Sequence, residues 1–545
     1  MDSHNGLKDL IRDKQALLLM LLPSLFLISV VVVPFVMLAD TFGAKNYAGL
    51  LFSNSFDARL AREAFVNSLE QGAVSAILSF CAGFPLGLFL GRYDFRYRRL
   101  LASLSILPFF LPSIVVVFAF ILSFGPASPA AAIFPPLSAL SRGFTGIVAV
   151  NVFFNAPLVV LTTMVAVMGY DPQLEEASKS LGAGRLKTFI TTWGKEGIAY
   201  GAWGSLLSFI YSFSGFTAPL IIGGQRYFTL ETWIYFLAKV LDQIGNATFI
   251  SLVQVTFLFI PAIAYVYLFR SRMQNLYSSR QFRRADSGSR WFLAGALYAA
   301  IFLLAETYIF SAVIEASLNF GNGGLIRNFI MLFSPNVASS IGITTFGALL
   351  NSLFYGVITA LSVTFLALSW IFSRRRLQTS FDPMDALQFM PLIISAIILA
   401  LSLSAAFSPI VPADSVWVLI VMAQSVVSIP LVFRIVLAGF SNIPLRLREA
   451  SVILGGNAFF EIEVPLAYSA VSTAMLFGFA TSLGEFAATN FLTTPRFISL
   501  TVEIYSLQSV RLFHIADAAV AFLLLISIVL FTAIQGIGDG LAGIR

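Results

Sequence analysis

The sequence predicts an all-α membrane protein of about twelve transmembrane helices, arranged as two parallel six-helix repeats. Three observations predict it. The 545 residues are 58% apolar and 11% charged, well under the charged fraction of about 25% that a water-facing surface carries. Mean hydropathy is correspondingly high, at +0.88. The apolar residues also fall in runs, such as Ala16 to Leu38 and Ile250 to Phe269, that reach the roughly 20 residues a helix needs to cross a bilayer core. Finally, the second half of the chain repeats the first.

The spans follow in order. The first half offers 16–38, 64–91, 100–124, 144–168, 198–222 and 247–269. The second offers 291–316, 342–372, 385–407, 415–440, 464–483 and 514–535. The run at 16–38 is too long for the apolar core of a signal peptide and reads as a retained first span. With the N-terminus inside, 23 of the 33 Lys and Arg residues fall in cytoplasmic segments, nine fall outside and Arg434 lies within a span. That bias predicts cytoplasmic N- and C-termini in the inner membrane. It also accounts for the net charge of +6, so no nucleic-acid partner is expected. Cys81 is the sole cysteine, and His4 and His514 are the only histidines. An internal disulfide and a thiolate cluster are excluded, and neither a metal nor a cofactor is expected.

The chain divides into a first half at 1–270, a polar, basic cytoplasmic linker at 271–290 and a second half at 291–545. Asn67-Ser68-Leu69 recurs as Asn351-Ser352-Leu353. Glu176-Ala177-Ser178 with Leu181-Gly182 recurs as Glu449-Ala450-Ser451 with Leu454-Gly455, and Pro157 recurs as Pro430. Leu230, Ile234, Tyr235 and Leu237 match Leu500, Ile504, Tyr505 and Leu507. Both halves begin inside, so the repeat is parallel, about an axis along the membrane normal, which places a path between equivalent halves.

The loops 171–195 and 444–465 carry the most information. Each holds Glu-Ala-Ser, three residues, then Gly. Glu and Ala favour helix, a carboxylate near the N-terminus adds to it, and Gly either ends the helix or admits another backbone. The product is a short helix, a turn and a second helix at the membrane face, a form suited to docking in a partner's groove. These loops resemble the cytoplasmic signature of the binding-protein-dependent permeases of ABC importers, Glu-Ala-Ala, three residues, Gly, followed by Ile-x-Leu-Pro. Both copies depart from it in having Ser for the second Ala. The first has Thr192-Trp193-Gly194-Lys195 in place of the downstream Leu-Pro, and the second has Val464-Pro465.

The resemblance implies that Glu176, Ala177, Gly182, Glu449, Ala450 and Gly455 belong to ATPase-coupling loops. It implies as partners two ATP-binding cassette subunits and an extracytoplasmic substrate-binding protein, within the lipid bilayer. The run Gly182 to Thr188 lacks the G-x4-G-K-[ST] spacing of a phosphate loop, so ATP hydrolysis is expected on a separate subunit and the chain is not expected to be an enzyme.

A fused pair of permease halves resembles thiamine and ferric-iron permeases. Ser482 to Thr489, followed by Ser499-Leu500 and Ile504-Tyr505, is more similar to thiamine, sulfate and molybdate permeases. Thiamine is therefore the first expected substrate, with ferric iron (or a sulfate/molybdate-type oxyanion) as the alternative. Gly215, Phe216, Glu485 and Phe486 are the candidate residues of the substrate path. Gly83, Gly87 and Gly91 form a stripe suited to close helix packing. Glu306 and Arg434 support a different class, an ion-coupled secondary transporter, because intramembrane charges mark ion routes; the paired Glu-Ala-Ser loops argue against it.

Overall fold

A computed structural model describes residues 3–43, 56–224, 226–276, 290–318, 326–377, 384–441 and 443–542, and the secondary-structure elements among them are helices. The expected linker at 271–290 lies outside the described residues from 277 to 289.

The chain begins with α1 (Ser3–Leu27), prolonged through π turns and a short helix to Gly43. Next come α2 (Phe56–Arg92), α3 (Arg98–Phe110), α4 (Ser113–Phe124) and α5 (Gly143–Met168). Two short helices, α6 (Pro172–Ser180) and α7 (Arg185–Thr191), lead into α8 (Trp193–Phe213). Then α9 (Thr217–Ile222) and α10 (Leu230–Tyr235) precede α11 (Ile244–Leu276). The second half runs through α12 (Arg290–Leu318), α13 (Thr345–Leu377), α14 (Ala396–Phe407) and α15 (Trp417–Ser441). It continues with α16 (Leu445–Ile453), α17 (Tyr468–Gly484), α18 (Ala487–Leu492), α19 (Leu500–Ser509) and α20 (Phe513–Ala542).

The all-α membrane class holds, but the spans are less uniform than the hydropathy suggests. Among the described residues nine helices are long and apolar enough to cross a membrane, or ten if Phe459–Leu466 and Tyr468–Gly484, bent by 66°, form one span. Three further expected spans are interrupted helices. The run 100–124 breaks at Leu111, whose extended backbone (φ −79°, ψ 149°) is what a following proline demands. The run 198–222 breaks at Ser214-Gly215 between α8 and α9, and 385–407 shrinks to α14 behind a 3-10 turn containing Pro391. Pro157 and Pro430 sit inside α5 and α15 without ending them.

The chain forms two compact units, and neither is a run of consecutive residues. One comprises 46–332 and 512–524, the other 1–45, 333–511 and 525–545. In the first, α2, α5 and α8 pack as a three-helix core. The glycine stripe of α2 lies against α5: a Cβ at Gly87 would come within 2.7 Å of Thr163, and one at Gly91 within 2.8 Å of Val167. Only glycine lets the two backbones approach so closely. The leading helix of the second sequence half, α12, joins this unit. Its Phe292 packs among Phe89, Tyr93 and Phe95 at ring distances of 5.5–5.6 Å, and the Tyr298 hydroxyl donates to the Ala82 carbonyl at 2.7 Å.

In the other unit α13, α15 and α17 make the equivalent core, with Trp370 stacked on Phe433 at 5.3 Å. Helix α1, from the start of the chain, packs on α13. Each core therefore carries the leading helix of the opposite sequence half.

Candidate functional site

The first Glu-Ala-Ser loop starts where Asp171 caps α6, its carboxylate accepting from the Gln173 N–H at 2.9 Å, with Pro172 at the first helical position. Pro suits that position because its missing N–H would be unpaired there anyway. The helix ends in a left-handed turn at Gly182 (φ +79°). The Gly182 N–H donates to Lys179 O at 2.9 Å and the Ala183 N–H to Ser178 O at 3.1 Å. These are the two bonds of a Schellman cap, which satisfy the last helical carbonyls.

The second loop repeats this end. Gly455 has φ +78°, its N–H donates to Val452 O at 3.0 Å, and the Gly456 N–H donates to Ser451 O at 2.9 Å. A Cβ at Gly182 or Gly455 would meet nothing within 4 Å. Of the two roles that sequence left open for these glycines, the helix end is the one seen within the chain.

The caps present matching surfaces. Glu176, Ala177, Glu449 and Ala450 are exposed. Leu181 and Leu454, at the equivalent position just before each glycine, are 88% and 86% exposed. Sequence reasoning noted the repeated Leu-Gly but not that the leucines are the projecting groups.

Each helix is held to its own unit by charge, in two different ways. Arg92, the last residue of α2, meets the Glu175 carboxylate in a bidentate contact at 2.8 and 2.9 Å and lies 4.2 Å from the Trp193 ring centroid. Lys179, one turn on, reaches Glu175 at 2.8 Å. Burial pushes the Glu175 carboxyl up, but Arg92 and Lys179 outweigh it and hold it below the ordinary value of 4.5. In the second half Arg448 stands at the position equivalent to Glu175. There Glu463, which precedes Val464-Pro465, receives Arg375 at 3.5 Å and Arg448 at 4.0 Å. Trp193, part of the first loop's departure from the signature, and Glu463, just before Val464-Pro465 in the second, thus lie at the anchors.

The candidate path residues mark the breaks after α8 and α17. Phe216 and Phe486 occupy equivalent positions, are buried, and pack on Tyr235 at 5.2 Å and Tyr505 at 5.5 Å. Glu485, opposite Gly215 in the repeat, caps α18. Its carboxylate accepts from the N–H groups of Ala488 and Thr489 at 2.8 and 2.9 Å and from the Thr489 hydroxyl at 2.6 Å.

A further pair was present in the sequence as a repeat marker without a role. Asn67 donates to Phe228 O at 3.0 Å, and Ser68 Oγ accepts from the Leu230 N–H at 2.8 Å. Asn351 donates to Ile498 O at 3.0 Å, and Ser352 Oγ accepts from the Leu500 N–H at 2.8 Å. In each half, therefore, the Asn-Ser pair on the long helix secures the start of the short helix α10 or α19. Of the charges that pointed to an ion route, Glu306 is buried on α12, and Arg434 on α15 lies 4.8 Å from the centroid of Phe389.

The fold is that of a helical membrane protein built from an internal repeat, with a capped, exposed short helix at equivalent places in each half. Comparison with known proteins narrows the class: residues 83–277 match the family of binding-protein-dependent transport system inner membrane components. The chain is 26% identical over 493 residues to a thiamine transport system permease protein of Haemophilus influenzae, covering 87% of this chain and 88% of that one. It is 24% identical over 481 residues to a ferric transport system permease protein of Actinobacillus pleuropneumoniae, covering 82% and 68%. A shorter stretch of 132 residues is 30% identical to a molybdate/tungstate transport system permease protein of Pyrococcus abyssi, covering 24% and 48%. The chain is thus a multi-pass helical membrane protein similar along most of its length to ABC permeases.

Proposed function

We propose that this chain forms the substrate path of an ATP-driven importer and that loops 171–195 and 444–465 each receive a separate ATP-binding subunit. The observation that carries the reading is the matched pair of Schellman caps, Gly182 and Gly455, each behind an exposed Glu, Ala and Leu. Exposed leucines on a short, rigidly terminated helix are poorly explained as surface and well explained as groups that a partner covers. The ion pairs at Glu175 and Glu463 make each helix move with its own three-helix core, so a force applied at the loop reaches the spans. ATP binding would draw the loops together and open the path to an external binding protein, and hydrolysis would reset it. Both termini lie in the cytoplasm in this scheme, as the Lys and Arg distribution requires.

The substrate we propose is thiamine, supported by a relative matched along 88% of its own length. Ferric iron is the second reading, favoured by the ferric permease matched over 82% of this chain. Gly215, Phe216, Glu485 and Phe486 are the proposed path residues, placed where α8 and α17 break. Cells carrying the chain as their only candidate importer should accumulate labelled thiamine, and excess ferric ion should leave that uptake unchanged. Accumulation of iron without thiamine would select the second reading. Uptake that follows a proton or sodium gradient, with no ATPase co-purifying, would overturn the importer itself.

A further inference from the structure

The two projecting helices share a frame and differ at one edge. Each has nine residues, ends in the same cap and lifts a leucine into solvent. The two caps agree to 1° in φ and to about 0.2 Å in their hydrogen bonds, so one socket fits both. The residues beside the leucine differ. On α16 they are Val452 and Ile453, 60% and 83% exposed; on α6 they are Lys179 and Ser180. Charge does not offset the difference. Lys179 is engaged by Glu175, and Glu175 and Arg448, opposite in sign at equivalent positions, are each matched internally. The tip of the second helix is therefore a continuous apolar Val-Ile-Leu surface, while at the tip of the first Leu181 follows Lys179 and Ser180; exposed leucines further from the caps, Leu174 and Leu186 in the first loop and Leu447 in the second, lie outside the tips.

We infer that the two helices hold copies of one ATPase chain unequally, with the Val452-Ile453-Leu454 tip of α16 the tighter site and the Leu181 tip of α6 the weaker. The inference rests on the reading of these loops as ATPase docking points. Covering two further aliphatic side chains is worth at least a tenfold difference in affinity, by the usual conversion of buried apolar area. The second site then fills first, and the first completes the assembly.

The test uses the full chain in lipid nanodiscs, with Cys81 replaced by Ala and one fluorophore placed through either Gly184→Cys or Asn457→Cys. These positions are equivalent and exposed, and a Cβ at Gly184 meets nothing within 4 Å. The ATPase that co-purifies with the chain is stripped off and titrated back. The probe at 457 should reach half-saturation at an ATPase concentration about tenfold or more below that for the probe at 184. Ile453→Ser should narrow the gap by weakening the second site. Ser180→Ile should narrow it by tightening the first, a gain that misfolding does not produce. Equal half-saturation, or two different ATPase chains each bound to one probe, overturns the unequal hold and leaves the docking reading intact. If no ATPase co-purifies with the wild-type chain, both fall.

Discussion

The guanidinium of Arg92 and the carboxylate of Glu175 face each other through two bonds, of 2.8 and 2.9 Å. The pair ties the last residue of a membrane-crossing helix to the middle of the projecting helix α6. A planar fork on a carboxylate is stronger and more directional than a single contact, which makes this joint a mechanical link as well as a stabilising one.

Glu175→Gln should therefore loosen α6 while leaving the spans folded. The loss of a charge-assisted bidentate contact is about 1–2 kcal/mol. Transported substrate per ATP hydrolysed should fall severalfold, with membrane insertion unchanged. The exchange Arg92→Glu with Glu175→Arg should recover part of it. Unaltered stoichiometry in the single variant would remove the joint from the mechanism.

The same carboxylate gives a pH dependence with a definite sign. Its folded value lies below 4.5, so its contribution to stability is fully present above the ordinary value and is lost as pH falls through the depressed one. Hydrogen exchange across 172–180 should accelerate on acidification below about 4.5. In Glu175→Gln exchange should already be fast at neutral pH and independent of pH over that window, once intrinsic rates are subtracted.

Gly182→Ala and Gly455→Ala place a Cβ at φ near +79° and +78°. Nothing blocks the methyl group, so the cost is the left-handed backbone alone, about 1–2 kcal/mol per site. Each variant should fray the end of its helix and weaken ATPase binding at that loop. The check is binding at each loop separately. A variant that affects the other loop more than its own would contradict the local origin of the effect.

Ser68→Ala and Ser352→Ala each strip the acceptor from a buried backbone N–H, of Leu230 or Leu500. An orphaned buried donor costs about 1–3 kcal/mol. Thermal unfolding in detergent should shift down for both by similar amounts, because the two sites are the same construction. Ser68→Thr, which keeps the hydroxyl, should shift it less.

Much of this was legible in the sequence because the signals were local. The apolar runs gave the helical membrane class, and two Glu-Ala-Ser copies at one offset located the projecting helices. Glycine at 182 and 455 offered a helix end as one of two roles, because no other residue takes that backbone so readily. Non-local features were not legible. Arg92 and Glu175 are 83 residues apart, and nothing in either neighbourhood names the other. The exchange of leading helices, α1 onto α13 and α12 onto α2, is a choice among packing partners that hydropathy does not encode. Nor does hydropathy register a broken helix. The stretch from Ser212 to Pro219 is less apolar than its flanks but carries no charge, so α8 and α9 read as one span. The clamps at Asn67-Ser68 and Asn351-Ser352 stood in between, visible as a repeat but interpretable only once their partners at 228–230 and 498–500 were placed.

The most direct test is substrate-stimulated ATP hydrolysis in proteoliposomes holding the chain, its co-purifying ATPase and its binding protein. Leu181→Asp and Leu454→Asp are introduced together with Glu176→Lys and Glu449→Lys. Stimulation and uptake should both be lost while the variant still inserts and unfolds at the wild-type temperature. Hydrolysis that still rises with substrate, and still drives uptake, would show that the ATPase engages the chain somewhere other than these two loops.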